Sequence, residues 1–527
     1  MAIKRWKPPV KPTAAEERIL ARVKTTRKLF GFLRHHRHEI FDDAFQDALA
    51  SAYRDTGAGA VPQPPALMCT ALLLQGYTGA SDRDAVDLTV VDARWQVVLG
   101  CLGSDEPAFS QGALQQFRER LIEHGLDVRL LERTVEVARQ SKIFDWRKLP
   151  KSIRVAMDSR PLVGAGRVED TFNLLGHAAR KIAECAAELT GMSFEAVCRA
   201  SHATSLLASS VKAGLDVDWG DPEQKATALE VLVIQVRSLS EWVGRAMNGE
   251  ELAGPITKYL AAAYQVQAQN LDEVDGRVTM HQGVAADRRV SIEDEEMRHG
   301  RKSKSHRFNG YKEHIAADVD TGLILACVVK PANEPEEGAA VPMKAEIEAQ
   351  GFTIKELLID RGYLHSEVVD DVENAGGEVL CKPWPTRHNR GLFSKNDFKI
   401  NLKAGTVTCP AGEAEHFEPG SVVEFDPDAC GSCRLRAKCT LSSSGRGRTV
   451  RIADDEERQQ RLRAIQNSDA GRQRLRERTA IEHRLARVAA RKGRRARYRG
   501  ARKNTFDLRR ASAIQNLETI QRVRAAA

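Results

Sequence analysis

Two apolar runs, each closed by an aspartate, most constrain what this chain can fold into. Ile153-Arg154-Val155-Ala156-Met157 ends at Asp158, and Leu357-Leu358-Ile359 ends at Asp360. Short apolar runs rich in Val, Ile and Leu read as buried strands, so each aspartate is expected at the C-terminal end of a strand. Between them, Tyr311 to Asp320 and Leu323 to Val329 alternate as strands around the turn Asp320-Thr321-Gly322, the pattern of a hairpin. Helices are predicted at 340–350 and 368–376, strands at 356–360 and 380–383. This β, hairpin, α, β, α order predicts an α/β core, a mixed sheet with flanking helices. Residues 168–280 carry mostly helical periodicity and read as a large insertion into that core.

The N-terminal part is helical throughout. Residues 1–60 form a basic helical arm, with Ile19, Val23, Phe30 and Leu33 at helical spacing. Gly57-Ala58-Gly59-Ala60 and Pro62 to Pro65 then punctuate the chain, and residues 61–145 read as a compact helical domain suited to DNA binding. Within it Ser81 is expected to cap a helix, because Asp84 falls at the third helical position. The remainder, 146–520, holds the core and its insertions.

Charge narrows the partners. The net charge of +8 is modest, but Arg484 to Lys503 contains ten Lys or Arg and no acid. Such a block reads as an anion-binding face, which makes 484–510 a candidate DNA-contacting segment. Arg301, Lys302, Lys304 and Lys312 form a second basic cluster, able to bind phosphates without reading sequence. No apolar stretch is long enough to span a bilayer, and Met1 to Pro9 lacks the apolar centre of a signal peptide. A cytoplasmic protein with no membrane partner is expected.

Asp158 and Asp360, with Glu482 on a basic helical stretch, suit a two-metal phosphoryl-transfer site. Phosphodiesters resist attack because nucleophile and phosphate are both negative, and Mg²⁺ or Mn²⁺ held by carboxylates offsets that repulsion. Taken singly, an acid at a strand end is more often a turn or cap residue. Asp318 and Asp320 on the hairpin, and Glu477 beside Glu482, are competing candidates. Arg478 precedes Glu482 by four residues, so both are expected on one helix face, as a salt bridge or as a phosphate contact beside the acid.

The joint order of several short motifs resembles the bacterial insertion-sequence transposases of the DDE class. They are Met157-Asp158-Ser159 followed by Gly164 to Thr171; Arg301 to Lys304 with Gly310-Tyr311-Lys312-Glu313-His314; Asp360-Arg361-Gly362-Tyr363; and Arg478 to Glu482 followed by Gly493 to Gly500 and Lys503-Asn504. Leu72 to Tyr77, Ser81 to Val86 and Phe117 to Leu121 resemble the helical domain ahead of the catalytic core in such proteins. The resemblance covers roughly residues 60–520. It implies a ribonuclease-H-like catalytic domain with Asp158, Asp360 and Glu482 as catalytic metal ligands. It also implies double-stranded DNA partners, namely terminal inverted repeats and target, a homodimer assembled on DNA, and a place at the bacterial nucleoid. Related transposases often carry Tyr three residues before the Arg and Lys seven after the Glu. Leu475 and Ala489 stand there, which leaves Arg491 or Lys492 to supply the charge, with Arg494 and Arg495 beyond.

Between Asp360 and Glu482 lies a Cys-bearing insertion, 400–450. Cys409, Cys430, Cys433 and Cys439 could bind structural Zn²⁺ or remain free thiols, and similar transposases carry a comparable segment. The other six cysteines lie in apolar surroundings and read as packing residues. Two further functions fit the same residues: a metal-dependent nuclease without strand transfer, and a noncatalytic DNA-binding regulator derived from a transposase.

Overall fold

The computed structural model describes residues 3–24, 27–53, 61–141, 152–247, 254–303, 305–386, 391–442 and 445–526. Lys304, one of the expected phosphate contacts, lies outside them. The chain forms two compact units. The first comprises Met1–Lys151, Asp158–Thr353 and Ile481–Ala527; the second comprises Ser152–Met157 and Ile354–Ala480.

Six strands carry the fold: β1 (Ser152–Val163), β2 (Arg298–Arg301), β3 (Arg307–Asp318), β4 (Ile324–Pro331), β5 (Thr353–Leu358) and β6 (Glu378–Leu380). In the first unit β3 is the hub. Its residues 307–310 pair antiparallel with β2, and its residues 311–317 pair antiparallel with β4. β2 and β4 therefore lie end to end along one edge of β3, and β1 is its neighbour on the other. In the second unit β5 lies between β1 and β6, running parallel to β6. The result is the expected mixed sheet flanked by helices. The hairpin is where periodicity placed it: Gly322 takes φ +69°, a left-handed conformation that glycine adopts without strain, and Asp318 accepts from the Thr321 N–H at 2.8 Å.

β1 differs from expectation. The apolar run predicts a strand ending at Asp158, yet the strand continues to Val163, so Asp158 sits inside it. Polar Ser159 and Arg160 stay in the strand because each finds a partner. The Ser159 hydroxyl donates to Glu336 at 2.6 Å, and Arg160 pairs with the fully buried Glu313 of β3. Close backbone approach holds the far end: a Cβ on Gly310 would lie 2.2 Å from the Leu162 carbonyl oxygen. Only glycine fits there.

Helices Pro65–Thr78, Leu126–Gln140 and Ala501–Ala526 pack together in the first unit. Gly76 makes this approach possible, since a Cβ there would meet Ile514 at 2.9 Å. The helix Asp82–Val91 begins with the Ser81/Asp84 capping box that the sequence announces, a device worth about 1 kcal/mol. The insertion is largely helical, led by Thr171–Thr190, Pro222–Ala246 and Pro255–Asn270. These helices bury a core of their own that includes Leu175, Ile182, Val233 and Val236. Among the described residues, no helix is long and apolar enough to cross a membrane.

In the second unit, residues Lys399–Asn401, Thr406–Thr408 and Ala414–His416 form a three-stranded antiparallel sheet, and Val422–Glu424 pairs with Thr449–Arg451. Phe398, Val407, Phe425, Val450 and Ile452 make a small core there, with Cys409, Cys430 and Cys439 packed against it.

Candidate active site and nucleic-acid interface

Asp360 lies two residues beyond β5, where it begins a short 3₁₀ turn, Arg361–Tyr363. Its carboxylate accepts from the Arg361 N–H at 2.7 Å and stays exposed. It lines a polar cavity of about 170 Å³ with Arg361, Lys382 and Arg478. The neighbouring Cys381 thiol is pushed up to about 12, first by burial and then by the charge of Asp360, so it stays a neutral packing group at ordinary pH.

Several contacts within the second unit fix this cavity. The Arg361 Nε–H donates to the Pro383 carbonyl at 2.8 Å, tying the segment after β6 to the Asp360 turn. Arg474, on the helix Asp469–Glu477, reaches Glu356 of β5 and Glu378 of β6, both at 2.6 Å. Arg154 of β1 pairs with Glu356 at 2.9 Å and also with Glu477. This ladder clamps the helix across three strands and so sets Arg478, which follows its end. Burial alone would raise the Glu356 carboxyl; hydrogen bonds from Arg154 and Arg474 outweigh it and hold it below the usual carboxylate range.

Arg478 and Glu482 do not share one uninterrupted helix. Arg478 caps the end of the helix Asp469–Glu477, and the next helix, Thr479–Lys492, starts directly after it. Glu482 is exposed on the first turns of that second helix, in the first unit, and Asp158 is half-buried on β1 in the same unit. Asp360 belongs to the second unit. The competing acids have structural work. Asp318 closes the hairpin turn and is buried, which pushes its carboxyl up. Glu477 belongs to the Arg154 ladder.

The basic residues divide in two. The Lys492 side chain is only 5 % exposed and pairs with Glu313 and Asp507; Arg491 pairs with Glu518 at 2.7 Å. The expected phosphate contacts at Arg491 and Lys492 are therefore taken up inside the first unit, anchoring the Glu482 helix to β3 and to the helix Ala501–Ala526. Lys312 is half-buried and donates to the Glu334 carbonyl at 2.8 Å. Arg494 and Arg495, by contrast, are exposed, as are Arg301 and Lys302. Their placement has a backbone cause: Val163 donates to Arg494 at 2.9 Å and accepts from Ala496 at 2.7 Å, so this segment adds a parallel bridge to the end of β1. Five residues of strand, about 16 Å, separate that bridge from Asp158.

Cys409, Cys430, Cys433 and Cys439 line one cavity of about 30 Å³. The Cys433 sulfur accepts from the Leu435 N–H at 3.4 Å and the Cys430 sulfur from the Arg448 N–H at 3.5 Å. Burial first, and then the other three sulfurs, push the Cys439 thiol up. Among the described residues, no three His, Cys, Asp or Glu side chains are already arranged as a metal site. The soft donor set suits Zn²⁺. The exposed carboxylates suit Mg²⁺, which needs only one or two of them when a phosphate supplies further oxygens.

Sequence reading missed Lys382 and Trp384. The signal was the alternation Cys381-Lys382-Pro383-Trp384 after a strand, in which the first and third residues are buried and the second and fourth exposed.

Residues 277–517 match a family model described as a transposase DDE domain, and residues 21–120 match one described as a transposase domain of the DUF772 type. The first match contains Asp360 and Glu482, whereas Asp158 lies outside both. No curated protein and no solved structure matches the chain.

Proposed function

Because this chain belongs to the insertion-sequence DDE transposases, with their N-terminal transposase domain, we propose that it binds the ends of its insertion sequence and catalyses metal-dependent cleavage and transfer of DNA strands. The observation that carries this reading is the Asp360 cavity, where an exposed carboxylate shares one polar cleft with Arg361, Lys382 and Arg478. Acid and cations side by side suit a phosphate that is bridged to the protein through a metal and gripped directly by cations.

Asp158, Asp360 and Glu482 are the residues that would hold Mg²⁺ or Mn²⁺, on a core of ribonuclease-H-like type. When bound, the ions supply charge neutralisation at the attacking and leaving oxygens. The chain's own part is to hold the scissile phosphate. Arg478 and Lys382 offer donors to its non-bridging oxygens, and the Arg154–Glu356–Arg474 ladder keeps Arg478 in place. Arg301, Lys302, Arg494 and Arg495 grip the flanking backbone, and residues 61–145 read the terminal repeats. The protein acts as a homodimer on DNA, at the nucleoid. Cys409, Cys430, Cys433 and Cys439 hold a structural Zn²⁺, which metal analysis of the purified protein would find at one equivalent per chain and lose in Cys430→Ser.

The test is to incubate the full chain with the DNA that flanks its own gene, with Mg²⁺ and with chelator. Metal-dependent cleavage at the element boundary, followed by joining of the 3′-hydroxyl end to target DNA, is expected. Cleavage without joining would make the protein a nuclease; specific binding without cleavage would make it a regulator.

A further inference from the structure

The helical insertion differs in charge from the chain that carries it. Residues 168–280 hold nine Lys or Arg against sixteen Asp or Glu, a net charge of −7, while the remaining residues sum to +15. A phosphate backbone is repelled from such a surface, so DNA bound elsewhere on the chain leaves the insertion uncovered. Its solvent side is not purely polar. On the 25-residue helix Pro222–Ala246, Leu229, Leu232, Val233 and Val236 are buried in the insertion's core, yet Ile234 is 64 % exposed and Val231 is exposed beside it.

The charges around Ile234 are ordered. With 3.6 residues per turn, positions eleven apart are about three turns apart and share a face. Glu223 therefore stands on the Ile234 face about 16 Å to one side of it, and Arg245 about 16 Å to the other; both are exposed. Thr227 and Glu241, also exposed, fall between them at two turns from Ile234. Arg237, which pairs with Glu273 at 3.3 Å, and Glu241 border an open groove of about 590 Å³. Its other wall carries Leu260 and Tyr264 of the helix Pro255–Asn270, and Tyr264 is 75 % exposed. The stripe thus begins on an acid, is apolar at its centre with an aromatic rim alongside, and ends on a cation.

We propose that this stripe is an interface for a second copy of the chain, the two helices packing antiparallel about a two-fold axis at Ile234. The inference rests on the homodimer reading above and deepens it, adding a surface that needs no DNA. Charge selects the occupant and its direction. In a two-fold contact each residue faces the one equally far beyond the axis. Glu223 then meets the partner's Arg245, twice by symmetry, and Thr227 meets the partner's Glu241. A parallel pairing would set Glu223 against Glu223 and Arg245 against Arg245, like charges that repel. The antiparallel pair also places the positive end of each helix dipole beside the negative end of the other. Ile234 and Val231 of both copies leave water at the centre, which supplies the apolar driving force. One helix pair with its rim is a small interface, so a weak dimer with a Kd of about 10 µM is expected.

The test is sedimentation velocity on the full chain without DNA, from about 1 to 100 µM. Ile234→Asp is expected to raise the dimer Kd at least about tenfold with an unchanged urea midpoint, because the side chain it replaces is on the surface. Ile234→Leu should keep the dimer. Glu223→Arg and Arg245→Glu should each weaken it about tenfold. Combined in one chain, they rebuild the ion pair with its signs exchanged and should return the Kd to within about twofold of wild type. A chain that stays monomeric throughout, a dimer that survives Ile234→Asp, or a double reversal as weak as the single ones would overturn the interface. The two readings fail separately. Loss of cleavage at the element ends with the DNA-free dimer intact would sink the strand-transfer reading alone, and a DNA-free monomer that still pairs on terminal DNA would sink this interface alone.

Discussion

In the first unit the Lys492 side chain is sealed against Glu313 and Asp507, at 5 % exposure; in the second, Lys382 stands exposed in a cavity with Asp360. Both are lysines near carboxylates in a basic chain, and from composition either would serve as a DNA contact. The difference lies in the solvent around them. Glu313 is fully buried, so its charge needs Lys492 and Arg160 as permanent partners, and the group acts as a rivet between β1, β3 and the C-terminal helices. Asp360 remains hydrated and accepts a backbone N–H, which leaves its carboxylate available to a metal or a substrate. Density of charge identifies neither role; burial and saturation do.

The largest effect should come from opening the sealed cluster. Lys492→Ala leaves Glu313 and Asp507 short of compensation, and removing one partner of a buried pair costs about 3–5 kcal/mol. Urea unfolding should show that loss, whereas Lys382→Ala should shift stability by less than about 0.5 kcal/mol. Equal losses in the two variants would erase the distinction between rivet and open cavity.

A smaller loss is expected from Arg474→Ala, about 1–2 kcal/mol, because charged hydrogen bonds to Glu356 and Glu378 are broken at a partly exposed site. The same ladder predicts a pH response. The Glu356 pKa is lowered in the folded protein, so its stabilising share is complete above the unfolded carboxylate value of about 4.3 and is lost as pH falls through the folded value. The urea midpoint should stay level from about pH 7 to 5 and drop on further acidification. Glu356→Gln should lower the plateau and flatten that drop; an unchanged acid limb would remove Glu356 from the explanation.

Much of this was legible locally. The Ser81/Asp84 cap, the Asp320-Thr321-Gly322 turn and the mixed order of strands and helices all follow from neighbours in sequence. Two of the failures share a cause, a partner far along the chain. Asp158 looked like a strand end because Ser159 and Arg160 are polar, and Arg160 continues the strand only because Glu313 lies 153 residues away. Lys492 reads as a DNA contact because its sequence neighbours are basic, while its partner Glu313 is 179 residues distant. Arg478 and Glu482 obey helical spacing, yet a helix boundary falls between them, which spacing alone does not encode.

The smallest effect belongs to the exposed arginines of the Val163 bridge. Replacing Arg494 and Arg495 together by alanine should leave the unfolding midpoint unchanged and weaken DNA binding evenly across sequences. If each meets one phosphate, the slope of log affinity against log salt should fall by about 1.8. An unchanged slope would place the DNA elsewhere on the first unit.

The central claim is that Asp158, Asp360 and Glu482 act on DNA while the acids near them in sequence hold the fold. It is tested most directly by one cleavage assay at the element ends, run on Asp158→Asn, Asp360→Asn, Glu482→Gln and Glu477→Gln with DNA binding measured in parallel. The first three are predicted to lose metal-dependent cleavage by at least about a thousandfold, the several kcal/mol that metal-assisted catalysis supplies, with DNA still bound, while Glu477→Gln cleaves at close to the wild-type rate. Cleavage that persists in any of the three, or that disappears in Glu477→Gln with its fold intact, would contradict the assignment.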